Sequence, residues 1–464
     1  MNIYNTWLGS RHWPGNLWVL LACSLALGGC ATFSKDGGLD GVKSLAQQHI
    51  KQEIVWPKTE TEQKIITARV DELLQKDLDV ESAVQVALFN NKGLQSSLYE
   101  LGISEADVVQ AGRLPNPKFS MLYARNNGDY KIEQVLAFNL FSLLTMPKLL
   151  DVERLNFEKT KQDVAQDVLR LAYQTRLAYF NAVAANEQLV YSQQVKASAE
   201  ASAELANRMV KAGNWNKLEL AREQSFYADA MLDEIAARQK QTSAHEVLSR
   251  LLGVPVKKIA LRRRLPDLPK VVVDLELFEQ QAFEQRLDLQ AARSQVQALA
   301  GKLGLTKTTG MINALEIGPA RVLEGRRGDA YKKGVDISFE LPLFDWGGAK
   351  EARAEAVYMQ GVNRAAQLAI NAQSEIREAY GNYRTNYDIA RHYHDEVVPM
   401  RKKIMDENQL RYNGMLVSPF ELFADARAQV ASVKSYIEKL NAFWLADTEL
   451  QMTRIGDLNM MEGK

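Results

Sequence analysis

Thiols are nearly absent. The chain has 464 residues and two cysteines, Cys23 and Cys30, both at the N-terminus. The rest of the chain can form no disulfide and do no thiol chemistry. Excess charge of one sign is also missing: 57 Lys and Arg face 57 Asp and Glu. A nucleic-acid binder would normally carry a basic excess or patch. Past the N-terminus no run of 18 or more apolar residues occurs, so no helix there spans a bilayer. Hydropathy alone reads such a chain as soluble, but it is blind to a transmembrane barrel, whose strands are short and half apolar. Histidine is scarce and no catalytic constellation stands out. His12, His49 and His245 are scattered, and His392 and His394, two apart on a predicted helix, point about 160° away from each other. The methionines are spread along the chain as core filler is, rather than grouped as a copper site. The run Arg262 to Arg264 reads as a solvated charge run in a linker. No enzyme activity, cofactor or metal is expected.

What is present begins with an export signal. Arg11 precedes an apolar run from Leu17 to Leu27, followed by small residues. The ending Leu27-Gly28-Gly29-Cys30 resembles the bacterial lipoprotein cleavage box, which implies lipidation of Cys30 as the first mature residue. Ala31 rather than Asp follows, and by the same resemblance that implies sorting to the outer membrane. The competing reading is a plain signal with an incidental cysteine.

The remaining layout is written twice. Long stretches run over 148–212 and 349–413, 65 residues each, the second containing Pro399. Each ends in a glycine-bearing turn, and each turn leads into a capping-box pattern, Asn216 with Glu219 and Ser418 with Glu421. Pro419 stands at the first helical position, where proline is tolerated. The return helices run to Gly253 and Gly456. An unbroken 65-residue helix is roughly 97 Å long, too long for a compact globule. Val164, Val168, Leu171, Ala178 and Ala182 form one stripe; Leu169, Tyr173, Phe180 and Ala184 form another, about 150° around. A neighbour on each side fits either a solid bundle or the wall of a hollow cylinder.

Strand pairs precede both long helices. "KFSMLYA" (118–124) leads through Asn127-Gly128, a hairpin signal, into 130–141, where Tyr130, Ile132, Leu136, Phe138 and Leu140 share a face interrupted by Gln134. "NALEI" (313–317) leads through a longer polar loop into 334–341, where Val335, Ile337, Phe339 and Leu341 oppose Asp336, Ser338 and Glu340. Such alternation fits either a half-buried hairpin or a membrane strand of about 9–11 residues, with Leu343, Phe344 and Trp346 as an interfacial girdle. Four strands cannot close around a lumen, so the membrane reading needs several copies; three would supply twelve strands.

Several segments together resemble the TolC-like outer-membrane factors, also called outer-membrane efflux proteins, of the lipoprotein type. These are "LDVESAVQVALFNN" (78–91), "LPNPKFS" (114–120), "FELPLFDWGGAKEARAEA" (339–356) and "RYNGMLVSPFELFADARA" (411–428), spread over 78–456. The resemblance implies a mainly α fold with a small β part: long helical hairpins forming a tunnel, and four strands per chain in a shared trimeric transmembrane β-barrel. The expected plan is a signal peptide over 1–29 and a lipid-anchored segment over 30–77. A first repeat follows over 78–255, with strands near 118–141, a long helix 148–212 and a return helix 216–252. A linker over 256–272 leads to a second repeat over 273–456, with strands near 313–341, a long helix 349–413 and a return helix 418–455, and a tail over 457–464.

The implied function is a passive homotrimeric duct in the outer membrane. Its partners are outer-membrane lipid, a periplasmic adaptor and an inner-membrane pump, either a proton-driven resistance pump or an ATP-driven exporter. The adaptor-docking tips carry Gly213, Asn216, Glu219, Gly414, Ser418 and Glu421; Glu421 and Asp425 are candidates for a pore constriction, with Arg411 as a basic neighbour. Here Gly414 comes one place earlier than in the family, and Ala424 takes the place of the family's second acid, with Asp425 next door. For Glu421 the bland role is merely to cap its helix. The alternative to a duct is a lipid-anchored coiled-coil scaffold of the periplasm with no pore.

Overall fold

The computed structural model describes residues 32–456, apart from 273, 311–313 and 327. The expected signal peptide, the lipidation site Cys30 and the tail over 457–464 lie outside the described residues. Two units emerge. One holds 102–158 and 294–362 with the segment before Gly38; the other holds 38–101, 159–293 and the chain from Asn363 on. No helix among the described residues is long and apolar enough to cross a membrane.

The first unit is built on a four-stranded antiparallel sheet in the order β1 (Lys118–Asn126), β2 (Asp129–Asn139), β3 (Leu315–Gly325), β4 (Lys332–Phe339). Asn127 takes φ 45° and Gly128 φ 98° at the first hairpin, the left-handed pair that a tight hairpin requires. The second connection is shorter than the sequence suggests. β3 was expected to stop at 317, but it runs on to Gly325, and Asp329 closes the turn by accepting from the Arg326 N–H at 2.8 Å. Gly318-Pro319 reads as a strand breaker because proline cannot donate to a ladder. In the sheet, pairing with β2 lapses at these two residues and resumes at Ile317 without change of register. Glycine at 318 lets the strands close up: a Cβ there would lie 1.9 Å from the Leu136 carbonyl oxygen.

Each strand pair feeds a long helix. β2 passes straight into α5 (Leu140–Lys211), which starts eight residues earlier than expected and carries Pro147 inside it. Asn139 explains the early start, since its side-chain oxygen accepts from the Ser142 N–H at 2.8 Å and caps the helix. Pro147 removes the bond to the carbonyl of Leu143, an exposed residue. After β4 the junction 340–347 is irregular. Gly347, at φ 82°, donates to Asp345 at 2.9 Å, and its carbonyl accepts the Glu351 N–H of α9 (Gly348–His392). The stretch expected to be one helix over 349–413 is broken by a π-turn at Tyr393–Val397 before α10 (Val398–Asn413). Pro399 is the cause: its ring would clash with the carbonyl of Asp395, and the wider turn relieves it.

In the second unit α1 (Leu39–Gln47) and α2 (Glu60–Leu73) precede two kinked helix pairs: α3 (Val80–Asn90) with α4 (Lys92–Ala111), and α7 (Leu275–Gln285) with α8 (Leu287–Thr309). α4 and α8 pass into the first unit. The return helices are α6 (Lys217–Leu252) and α11 (Pro419–Met452). At one kink Asn90 and Asn91 donate side-chain N–H groups to the carbonyls of Leu251, Leu252 and Gly253, covering the end of α6. At the other, buried Arg286 is clamped between Asp288 (2.7 Å) and Glu375 (2.9 Å). α6 ends at left-handed Gly253 as expected, but α11 ends at Met452, short of Gly456, with Thr453 in the capping position.

Both stripes predicted on the first long helix are buried. Phe278, Ile376, Tyr383, Tyr387 and Phe443 form a further core. The linker is pinned to this unit by Trp444 donating to the Pro266 carbonyl (2.9 Å) and Tyr387 donating to that of Pro269 (3.1 Å). Arg262, Arg263 and Arg264 are exposed, as expected of a solvated run, and Arg262 makes a surface ion pair with Asp79 at 3.3 Å.

The close approach at Gly318 gives a direct test. Gly318→Ala should lower sheet stability by about 1–3 kcal/mol, the usual cost of forcing atoms into filled space. Chemical denaturation would show it as a lower midpoint; an unchanged midpoint would mean that β2 and β3 separate without cost.

Candidate functional site

Two regions carry unusual surfaces. The first is the sheet. Its register puts Phe119, Met121, Tyr123, Ile132, Leu136, Phe138, Ile317, Val335, Ile337 and Phe339 on one face. That face is uncovered: Phe119 is 66% exposed, Val335 67% and Phe339 60%. The other face carries Lys118, Lys131, Glu133, Glu316, Glu324, Lys332 and Asp336 among mostly small residues with Leu122, Val135 and Val322, and pairs Lys118 with Glu316 (2.5 Å) and Lys131 with Glu133 (3.5 Å). A sheet packed on a soluble core buries its apolar face. This one leaves it open, and the apolar series continues into exposed Leu341, Leu343, Phe344 and Trp346.

The second region is the pair of hairpin tips. In the first, Gly213 takes φ 79° just past α5, as a helix-ending glycine does. Asn216 accepts from the N–H groups of Leu218 and Glu219 at 2.9 Å, and Glu219 accepts from the Asn216 N–H at 3.0 Å, so the expected capping box is complete. Arg208, 2.8 Å from Glu204, holds that carboxyl below its usual range.

The second tip departs from expectation in three ways. Gly414 is not left-handed (φ −82°); Met415 is, at φ 61°. The Gly414 N–H reaches the Leu410 carbonyl and the Leu416 N–H the Arg411 carbonyl, so the turn needs its left-handed residue one place after the glycine. The capping box is only half made: Ser418 accepts from the Glu421 N–H at 3.3 Å, with no return bond from the Glu421 side chain. That frees Glu421 from the capping role. Arg411 lies nearest Glu407, at 4.0 Å, rather than Glu421. Asp425 is half-buried and takes a hydrogen bond from Asn408, so the two acids differ in kind, one exposed and one tied into its own hairpin.

Sequence reasoning missed the contacts between the two hairpins. Glu223 of α6 is buried and held by Arg427 of α11 at 2.9 Å and by Ser202 of α5 at 2.8 Å. Trp215 meets Phe423 edge-on with ring centres 6.2 Å apart. A cleft of about 530 Å³ opens between the hairpins, lined by Tyr191, Phe226, Met405, Phe423 and Val430. Large apolar side chains stand exposed at the tips: Met415 (94%), Leu416 (77%) and Leu218 (60%). Among the described residues no group of His, Cys, Asp or Glu is placed to hold a metal. His392 pairs with Glu396 and His394 with Asp395.

Residues 83–254 match the family model of the outer membrane efflux protein. Solved structures share the fold at low identity. A membrane protein from Pseudomonas aeruginosa is 17% identical with a TM-score of 0.70, over 82% of this chain and 94% of that one. CusC, described in terms of folding and transmembrane channel formation, is 17% identical with a TM-score of 0.68, over 82% and 93%. The outer-membrane channel OprN is 16% identical with a TM-score of 0.67, over 92% and 97%. No curated protein matches the sequence.

The strained Met415 sets a prediction. Met415→Gly should stabilise the tip by about 0.5–1 kcal/mol, the left-handed penalty less the extra entropy that glycine loses. Amide exchange at Gly414 and Leu416 would slow accordingly; faster exchange there would show that the methionine side chain holds the turn.

Proposed function

We propose that this chain, which carries an outer membrane efflux protein domain over residues 83–254, is the outer-membrane duct of a tripartite export system. The sheet's uncovered apolar face carries the reading, because a face this open is stable in lipid and a liability in water. Three copies supply twelve strands, enough for a water-filled barrel lined by the charged face. The helical hairpins continue the duct through the periplasm. A coiled-coil scaffold explains the helices but leaves the apolar sheet face without a purpose. The doubled order of helix pair, strand pair, long helix and return helix supports an internal duplication. The lipoprotein ending at Cys30 supports a lipid anchor at the same membrane.

The chain's shortage of cysteine makes the test clean. Asn127→Cys, at a sheet hairpin, should react with a membrane-impermeant thiol reagent on intact cells. Met415→Cys should react only after the outer membrane is permeabilised. An unlabelled hairpin in well-expressed protein would return the reading to the scaffold.

The tips dock a periplasmic adaptor through Gly213–Glu219 and Gly414–Glu421, with Met415 and Leu416 as the apolar contacts. A photoreactive side chain at Leu416 should capture that adaptor in cells. Capture of one serving a proton-driven pump points to export of small toxic compounds or metal ions; one serving an ATP-driven exporter points to polypeptides. Capture of neither would remove the tripartite assignment.

At the pore end Glu421 acts alone. Three copies of an exposed carboxylate that belongs to no ion pair among the described residues attract cations and repel anions, whereas Asp425 is held by Asn408. Glu421→Ser should therefore reduce cation selectivity in single-channel recordings, and an unchanged reversal potential would discard the ring.

A further inference from the structure

A row of the sheet breaks its apolar face well before Arg125, which stacks over the Tyr130 ring at the hairpin end. From the end where Leu315 faces Phe339, the next row is Phe138, Ile317 and Ile337. Then come the pairs Phe119–Leu136 and Pro319–Val335, and after them Met121–Gln134–Arg321–Lys333. Tyr123, Ile132 and Leu323 follow, so apolar and aromatic residues resume beyond the break. Arg321 and Lys333 are directly opposite each other and both exposed. The sheet's ion pairs, Lys118–Glu316, Lys131–Glu133 and Lys332–Glu324, all use the other face. Among the described residues neither Arg321 nor Lys333 belongs to an ion pair.

This arrangement is unfavourable as it stands. Like charges opposite each other destabilise a strand pair. A cation facing lipid is costly at the midplane and tolerated near an interface. The row lies six residues, roughly 20 Å along the strand, from the Phe339 row. That places it toward the hairpin end, where long basic side chains reach outward to the headgroup level. Tyr123 and Tyr130, in ring contact at 6.2 Å, lie one and two rows further toward the hairpins. An anion bound between the two cations removes both penalties.

We propose that Arg321 and Lys333, with Gln134 beside them, bind a phosphate group of a phosphorylated glycolipid in the outer leaflet. This rests on the outer-membrane duct reading above. The Arg321 fork matches two phosphate oxygens, Lys333 adds a point charge, and the Gln134 amide donates to a sugar or phosphate oxygen. The occupant has to be amphipathic, because the rows below the cations are Phe119, Leu136 and Val335, then Phe138, Ile317 and Ile337. Acyl chains cover those rows while the phosphate meets the cations; a free phosphate would leave them bare.

The test uses full-length protein reconstituted in zwitterionic phospholipid vesicles with bisphosphorylated lipid A as probe. Lipid A retained after detergent exchange is counted by native mass spectrometry. Arg321→Gln with Lys333→Gln should retain about tenfold less lipid A or lower, since each charge-assisted bond is worth at least that factor. The charge-conserving pair Arg321→Lys with Lys333→Arg should retain it, and dephosphorylated lipid A should not bind the native protein. Equal retention by the neutral variant, in protein that still inserts, would overturn the lipid site and leave the duct standing. Displacement of lipid A by inorganic phosphate alone would also overturn it, as a simple anion site. Native protein that fails to enter vesicles at all would remove the duct reading and the lipid site together.

Discussion

The two edges of the sheet are the constraint on which the rest depends. β1 and β4 each have a partner on one side only, so each presents a row of backbone N–H and C=O groups to its surroundings. In lipid those groups find no water, and an open edge is not tolerated there. A single chain with an apolar outer face therefore cannot be complete by itself. Copies of the chain are the natural partners, because β4 of one can continue into β1 of the next. Four strands per copy then fix the barrel in multiples of four, and twelve is the first multiple that leaves a water-filled interior. The helical part inherits that symmetry, since every strand pair is continuous with a long helix.

The same demand for satisfied backbone explains the junctions. Asn139 and Asp345 each place a short polar side chain where strand gives way to helix, and each accepts an N–H that would otherwise be orphaned. The kinks at Asn90–Asn91 and Arg286 do comparable work with different chemistry. Two asparagines cover carbonyls at the end of α6, while a buried guanidinium holds two carboxylates near the end of α11. A buried cation is tolerable only when paired in this way.

Much of this was legible in the sequence, and what was not has physical reasons. Period-2 alternation marked β2 and β4, Asn127-Gly128 marked the first hairpin, and the two stripes on α5 are both buried. Three local rules misled. The long helix expected over 148–212 begins earlier and accommodates Pro147, and the one expected over 349–413 is broken by the π-turn that Pro399 forces. The chain after Ile317 was expected to be loop, but pairing on both sides of Gly318-Pro319 holds β3 together. At the tip, Ser418 and Glu421 match a capping box in spacing, yet only one of its two bonds forms. Contacts between hairpins, such as Glu223 with Arg427, join residues 204 positions apart, and no local pattern encodes them.

The distribution of charge differs between the sheet and the hairpin tips. On the sheet's inner face cations and anions are interleaved and paired: Lys118 with Glu316, Lys131 with Glu133, Lys332 with Glu324. Pairing weakens the field of this lining, and Asp336 on the same face, outside these three pairs, leaves it a small acidic excess. The second tip is different, because Glu421 is exposed and, among the described residues, belongs to no ion pair, Arg411 pairing with Glu407 instead. Field from an unpaired carboxylate is strongest where the passage is narrowest and water is scarce. On the proposed reading, the exposed Glu421 carboxylates make the tips the stronger point of discrimination in such a duct. That division suits a conduit whose choice of cargo is made upstream.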